Sequence, residues 1–464
     1  MFWPRGKVLG GSSSINGMVY IRGQAEDFDH WRQLGNTGWS FDDVLPYFKR
    51  AENQQSIRDG FHGTGGPLSV SDVEKHPIAE AFIDAAMALG FARNDDFNGA
   101  AQDGVGYHQT TTRNGRRCST AVGYLNPARR RGNLAVVTNA LSEKIVVDGR
   151  RAVAVQYRQG GQLKTARASR EVILSGGTIS SPQLLMLSGI GPADELSAHG
   201  IHPIVDLKGV GKNLSEHPNC MMRFQAKAPV TFLKELRYDR AVMSAAQWAM
   251  FGTGPFATQI NSCNVVIRTA PHLDQPDIQL MCNPARMDAK LWFPGVTKEL
   301  EHAFQVGVVI LHPLSRGEVT LRSASPLDAP KVQLNLMSNP AEFEMMRRGI
   351  REARRIYHTP PQGDLTGVEA APGEAAQSDD ELDDWIRKAC SATQHPVGTC
   401  TMGLGAEAVV DPELRVIGIQ GLRVADASIM PTVPGANTNA SAIMIGEKAA
   451  DLVRGQRLPA AEGV

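Results

Sequence analysis

The stretch GKVLGGSSSINGMVYIRG, residues 6–23, restricts this chain more than any other. Paired glycines and three serines offer little side-chain volume for a core. Their value lies in the backbone. Glycine has no Cβ and tolerates positive φ, so main-chain N–H groups can face a ligand at contact distance. Such a loop lets something large approach the backbone, and loops of this kind belong to nucleotide-binding domains. The fold must therefore be built around a ligand-facing turn that begins six residues into the chain.

The rest of the composition narrows the field. At 464 residues the chain is long enough for two or three domains. Lys plus Arg and Asp plus Glu are 48 each. A net charge of zero gives no electrostatic reason to expect nucleic acid or an anionic membrane as partner. No apolar run reaches the roughly 18 residues of a transmembrane segment. The cysteines Cys118, Cys220, Cys263, Cys282, Cys390 and Cys400 lack C-x-x-C spacing. Neither a zinc site nor a disulfide framework is indicated, and a cytoplasmic location is the expectation. No signal peptide precedes Gly6, although a targeting signal ahead of residue 1 stays open.

The fold class read along the chain is mixed α/β. Residues 26–53 read as short surface helices broken at Gly35 and Gly38, and 61–70 as a Gly-rich turn and a short strand. Residues 76–91 read as an amphipathic helix closed by Gly90. Three β-rich runs follow, 134–140, 143–158 and 170–177, with Asp148-Gly149 turning a hairpin. Residues 180–191 give a helix. From about 217 to 330, alternating segments predict a separate antiparallel sheet. Asn339 as N-cap and Pro340 at the first position open a strong helix. Residues 360–384 read as a surface connection into another helix, and 421–455 as strand, loop and C-terminal helix.

Three separated blocks carry the chemistry: the opening loop; GTISSPQLLMLSGIG at 177–191; and the C-terminal pair QHPVGTCTMG and DASIMPTVPGANTNASAIMIGEKAADLV. Together they resemble the glucose–methanol–choline (GMC) oxidoreductases, which are FAD-dependent. GVGKNLSEHP at 209–218 and residues 313–335 also resemble family blocks, so the likeness covers essentially the whole chain. The resemblance implies a doubly wound FAD-binding domain formed by residues 1–216 and 385–464. It also implies a substrate domain of mostly antiparallel sheet at 217–384.

What the likeness implies for single residues is specific. Gly10, Gly11, Ser12, Ser13, Asn16, Gly17, Met18 and Val19 are expected along the flavin ring. Some members carry a histidine that bonds covalently to flavin; this chain has Ile15 there, so FAD is expected to be non-covalent. Ser142 is expected near the adenine, and Asp426 and Ala427 near the phosphate and ribityl region. Asn437, Thr438 and Asn439 are expected by the pyrimidine ring, where a helix N-terminus would favour the charge that builds on reduction. His395, in HPVGT, is the expected catalytic base, since imidazole titrates near neutrality. Asn437 is its expected partner.

A dinucleotide site of this kind starts with a strand, a G-x-G-x-x-G turn and a helix of roughly 30 residues. No such unit occurs before Gly6, and GIG at 189–191 and GVG at 209–211 do not replace it. The chain is thus expected to be a family member without its first nucleotide-binding unit. Two readings follow. One is an enzyme that oxidises a primary alcohol and passes electrons to O₂, a quinone or another acceptor. The other is a non-catalytic fragment that retains no FAD. Choline is disfavoured, because Ser262 falls where a carboxylate is expected to hold the ammonium. A fatty-acid decarboxylase activity is disfavoured by Asn261 and Met281. Phe256, Ile260 and Met281 point to an apolar pocket.

Overall fold

In the computed structural model, residues 3–257, 263–297 and 300–463 are described. Ile260, Asn261 and Ser262 lie outside them.

An antiparallel sheet forms one half of the molecule. Its strands run Thr366–Ala371, Pro218–Ala226, Ala303–Ile310, Ile278–Asn283, Cys263–Ile267 and Gly104–Tyr107 in spatial order, with the short Ser391–Ala392 also paired to Pro218–Ala226. Side chains alternate across a strand, so Cys220, Met222 and Phe224 face one side and His217, Asn219 and Met221 the other. The first side is covered by the helices Pro77–Ala88, Pro340–His358 and Asp379–Ala389. There Phe224 stacks on Tyr357 with ring centroids 4.2 Å apart. The second side carries the site. The antiparallel sheet expected for 217–330 is present, and it recruits strands on either side of that range.

One of those strands corrects an expectation. Thr366–Ala371 lies inside the stretch read as a surface connection, yet it pairs with Pro218–Ala226. Its buried positions are Thr366 and Glu369, the latter paired with Arg354 at 2.8 Å. A strand buried through polar groups leaves no apolar alternation to detect.

The second core gathers the N-terminal segment, the helix Gly177–Leu187 and the C-terminal helix Asn439–Arg454. A parallel pair, Val172–Leu174 with Leu422–Val424, feeds that first helix. The hairpin Ala140–Asp148 and Arg151–Gln159 turns at Gly149, whose φ of 56° suits glycine. Residues 134–139 are not a strand, which corrects the first of the three β-rich runs; the strand begins at Ala140. The helices Ala25–Gln33 and Phe41–Ala51 are also not surface features. Phe28, Trp31 and Trp39 are fully buried, and Phe28 meets Trp31 edge to face at 5.1 Å. The C-terminal helix closes over them, with the Lys448 ammonium 5.1 Å from the Trp39 ring centre. Asn339 caps the helix Pro340–His358 as the sequence predicts, accepting from the Ala341 N–H at 3.0 Å.

Candidate active site

The site grows from the start of the strand Pro218–Ala226. Pro218 lies opposite Ala392 and Asn219 opposite Ser391, so the chain entering His395 runs beside the chain leaving His217. Thr393 fastens the two, its N–H and Oγ1 donating to the His217 carbonyl at 3.1 and 2.9 Å. Gln394 then takes φ 74°, which turns the backbone back toward the sheet. Beneath both histidines sits Glu216. Its Oε1 accepts the backbone N–H of His395 at 2.7 Å and of His217 at 3.0 Å. Burial pushes this carboxyl up to about 8.

The side chains form a line. His217 Nε2 lies 3.0 Å from the Leu311 carbonyl, His217 Nδ1 lies 3.0 Å from His395 Nδ1, and His395 Nε2 lies 3.1 Å from Asn437 Nδ2. A carbonyl only accepts, so His217 must carry its proton on Nε2 and leave Nδ1 bare. His395 must then donate from Nδ1, which leaves its Nε2 lone pair for the Asn437 amide. The rings stand at 88° to one another. Burial first, and the Arg5 charge second, lower the His395 pKa to about 3. Burial, followed by the two neighbouring histidines His395 and His312, drives His217 in the same direction. The pair is neutral and oriented.

Asn437 is held from the N-terminal segment. Asp27 accepts the Gly435 N–H at 2.7 Å, Trp31 donates to Thr432 Oγ1 at 3.0 Å, and Ser441 donates to the Arg22 carbonyl at 2.8 Å. A Cβ on Gly435 would lie 2.9 Å from Gln24 Nε2 and 3.0 Å from His312 Cε1, so any other residue there must push those two side chains aside. Asn437 Oδ1 is buried without a protein partner.

The opening loop is built as a cradle. Gly10 and Gly11 take φ 88° and 55°, and residues Gly11–Ser14 form a tight 3₁₀ turn. Ser13 Oγ donates to the Gly10 carbonyl at 2.5 Å and accepts from the Thr120 N–H at 3.0 Å. The Ser12 hydroxyl receives the Gly6 N–H at 3.2 Å. Asn16 Oδ1 accepts from Arg117 at 2.7 Å and from the Met18 N–H at 3.1 Å. Gly17 continues that turn, and Val19 enters a two-residue strand paired with Thr110. Ile15 is exposed.

The other expected contacts are distributed. Asp426 ties the helix Gly177–Leu187 to the turn at Ala427. Its Oδ2 takes the Gly177 N–H at 2.8 Å and the Ser181 hydroxyl at 2.6 Å, and its Oδ1 takes the Ser428 N–H at 2.8 Å. Ser142 is exposed on the edge strand Ala140–Asp148. Thr438 and Asn439 begin the C-terminal helix, whose N-terminus has no side-chain cap. Those open N–H donors and the glycine cradle fit a large ring that gains negative charge. Glu216 and His217 were assigned no role in the sequence reading. Their signal in the sequence is SEHP at 215–218, where a carboxylate and a histidine stand side by side.

Comparison with known proteins agrees with this architecture. Residues 1–219 and 313–446 match the two family models described as GMC oxidoreductase. The chain is 44% identical over 456 residues to the oxygen-dependent choline dehydrogenase of Brucella suis biovar 1 (strain 1330), covering 98% of this chain and 82% of that protein. It is 44% identical over 458 residues to the protein of that name from Sinorhizobium fredii (strain NBRC 101917 / NGR234), with the same coverage. Among solved structures, formate oxidase of Aspergillus oryzae RIB40 superposes with a TM-score of 0.90 at 29% identity, over 97% of this chain and 84% of that one. Pyridoxine 4-oxidase of Mesorbium loti gives 0.86 at 28%, over 98% and 86%. The chain belongs to the GMC oxidoreductase family, FAD-dependent enzymes acting on CH–OH donors. The fold is that of these flavoenzymes, mixed α/β with an FAD-binding part and a substrate domain.

Proposed function

We propose that the protein oxidises a primary alcohol to the aldehyde with non-covalently held FAD, His395 acting as the base. The observation that carries this reading is the line Leu311–His217–His395–Asn437, which leaves a lone pair on His395 Nε2. An alcohol hydroxyl displaces the Asn437 amide from that nitrogen and gives its proton to it. The amide freed from Nε2 then donates to the substrate oxygen. His217 keeps the ring in the reactive tautomer throughout. Bound FAD supplies the hydride acceptor. The cradle of Gly10, Gly11, Ser12, Ser13, Asn16, Gly17, Met18 and Val19 would hold the flavin, with Asn437, Thr438 and Asn439 at the open helix end. Ser142, Asp426 and Ala427 are assigned to the remainder of the dinucleotide.

The names of the relatives make choline a substrate to try. Beside His217 the sheet presents Asn219, a neutral amide whose Oδ1 is buried and unpartnered, and, from the strand Ile278–Asn283, the half-buried Met281. That surface favours an uncharged alcohol over a cation. In the test, FAD-loaded protein is mixed anaerobically with a panel of alcohols, and the flavin absorbance is followed. His395→Ala is expected to retain FAD and lose about 10²- to 10⁴-fold in the reduction rate. An unchanged rate sinks the assignment of the base.

A further inference from the structure

The active site uses no cysteine, yet two of the six stand opposed. Cys390 follows the helix Asp379–Ala389 in extended backbone and leads into Ser391–Ala392. That short strand pairs with Pro218–Ala226, Asn219 facing Ser391 and Pro218 facing Ala392. One step further in the same register, Cys390 faces Cys220. Pairs in an antiparallel ladder alternate between hydrogen-bonded and open. Thr393 donates to the His217 carbonyl, so 217 with 393 and 219 with 391 are hydrogen-bonded, and 220 with 390 is open. Opposed Cα atoms at an open pair are about 4.5 Å apart, within the span a disulfide bridges. Both side chains belong to one apolar cluster, Cys220 within it and Cys390 packed against it.

Exposure distinguishes the partners. Five of the six cysteines are buried and Cys390 alone is half-buried. The neighbouring Cys220 thiol pulls the Cys390 thiol below its ordinary value, while Cys390 and burial hold Cys220 above its own. The outer sulfur is the better nucleophile, and the inner one is placed to resolve it.

We propose that Cys390 and Cys220 are a peroxide-reactive pair that closes to a reversible disulfide. The Cys390 thiolate attacks a hydroperoxide oxygen, the O–O bond breaks, and Cys390 becomes a sulfenic acid as hydroxide or alkoxide departs. The Cys220 sulfur then displaces the sulfenic oxygen as water, so two thiols are oxidised and one peroxide is reduced. The bond closes on the helix-covered face of the sheet. It staples the two segments that set the spacing of His217 and His395.

The test treats the reduced, FAD-loaded full chain with hydrogen peroxide, blocks free thiols with iodoacetamide under denaturing conditions, and identifies peptides by mass. The expected result is a linked peptide pair joining Cys220 to Cys390, lighter by two hydrogens and released by dithiothreitol. Cys118, Cys263, Cys282 and Cys400 are expected to be alkylated. In Cys220→Ser, dimedone is expected to trap the sulfenic acid at Cys390. Both thiols alkylated in the treated native chain, or Cys390 carried to the sulfinic acid without a link, overturns the proposal. The native chain alone decides it, whether or not the variant folds.

Discussion

His395 is kept neutral by burial and kept in one tautomer by His217, and these are separable effects. Replacing His217 with alanine removes the acceptor for His395 Nδ1 and opens space to water. The turnover number is expected to fall about ten- to a hundredfold, as for other outer partners that orient a reacting histidine. FAD binding is expected to be unaltered. The acid limb of the rate profile is expected to move from near 3 toward the ordinary histidine value of 6.5. A limb that stays near 3 would mean that His217 does not shield His395 from water. Glu216 gives a stability signature of its own. Its carboxyl holds a proton up to about 8 in the folded chain against 4.5 when free. The folded state therefore binds the extra proton between those values. Its stabilising share is fully present below 4.5 and lost as pH rises through 8. Glu216→Gln keeps an oxygen for both backbone N–H groups and is expected to flatten the fall of Tm over that window. An unchanged slope in thermal melts would contradict the assignment. His395 and Asn437 are legible in the sequence because each sits in a long motif. Glu216 and His217 are not, because their meaning depends on the pairing of 218–219 with 391–392, across about 170 residues of chain.

At the scale of elements, the opening segment positions the site by fastening to everything around it. Arg22 is buried, its N–H donates to Asn98 Oδ1 at 2.9 Å, and its carbonyl takes Ser441 from the first turn of the C-terminal helix. Its guanidinium pairs with Glu52 on the short strand Glu52–Gln54. Glu52 also meets His62 Nδ1 at 3.1 Å, and Asp96 meets His62 Nε2 at 3.0 Å. Burial opposes the charge on His62, but the bonds to Asp96 and Glu52 outweigh it and raise its pKa to about 9. Glu52→Gln would leave Arg22 and His62 without their shared anion. Breaking a buried pair from one side costs about 3–5 kcal/mol, so a clear fall in the denaturant midpoint is expected. A variant as stable as the parent would show that water replaces the carboxylate. This network explains why the helices Ala25–Gln33 and Phe41–Ala51 elude sequence reading. Their glycine breaks and charges look like surface, and only the tertiary cover over Trp31 and Trp39 makes them core. The helix Pro340–His358 is legible because its cap and its apolar stripe are local properties.

The whole molecule brings the sheet that starts at His217 against the glycine-rich opening loop, with the proposed catalytic line between them. The line needs three distant parts: the sheet start at His217, the turn at His395 and the C-terminal loop at Asn437. Among the described residues no helix is long and apolar enough to cross a membrane. The family assignment and the paired cores agree with the α/β reading of the sequence, whereas the recruitment of Gly104–Tyr107 and Ser391–Ala392 into the sheet depends on contacts no local pattern encodes. The most direct measurement is the visible spectrum of the FAD-loaded chain under anaerobic conditions, before and after a primary alcohol is added. Bleaching of the flavin bands in the parent, absent in His395→Ala with FAD still bound, is the predicted result. A flavin spectrum that no primary alcohol bleaches would contradict the account.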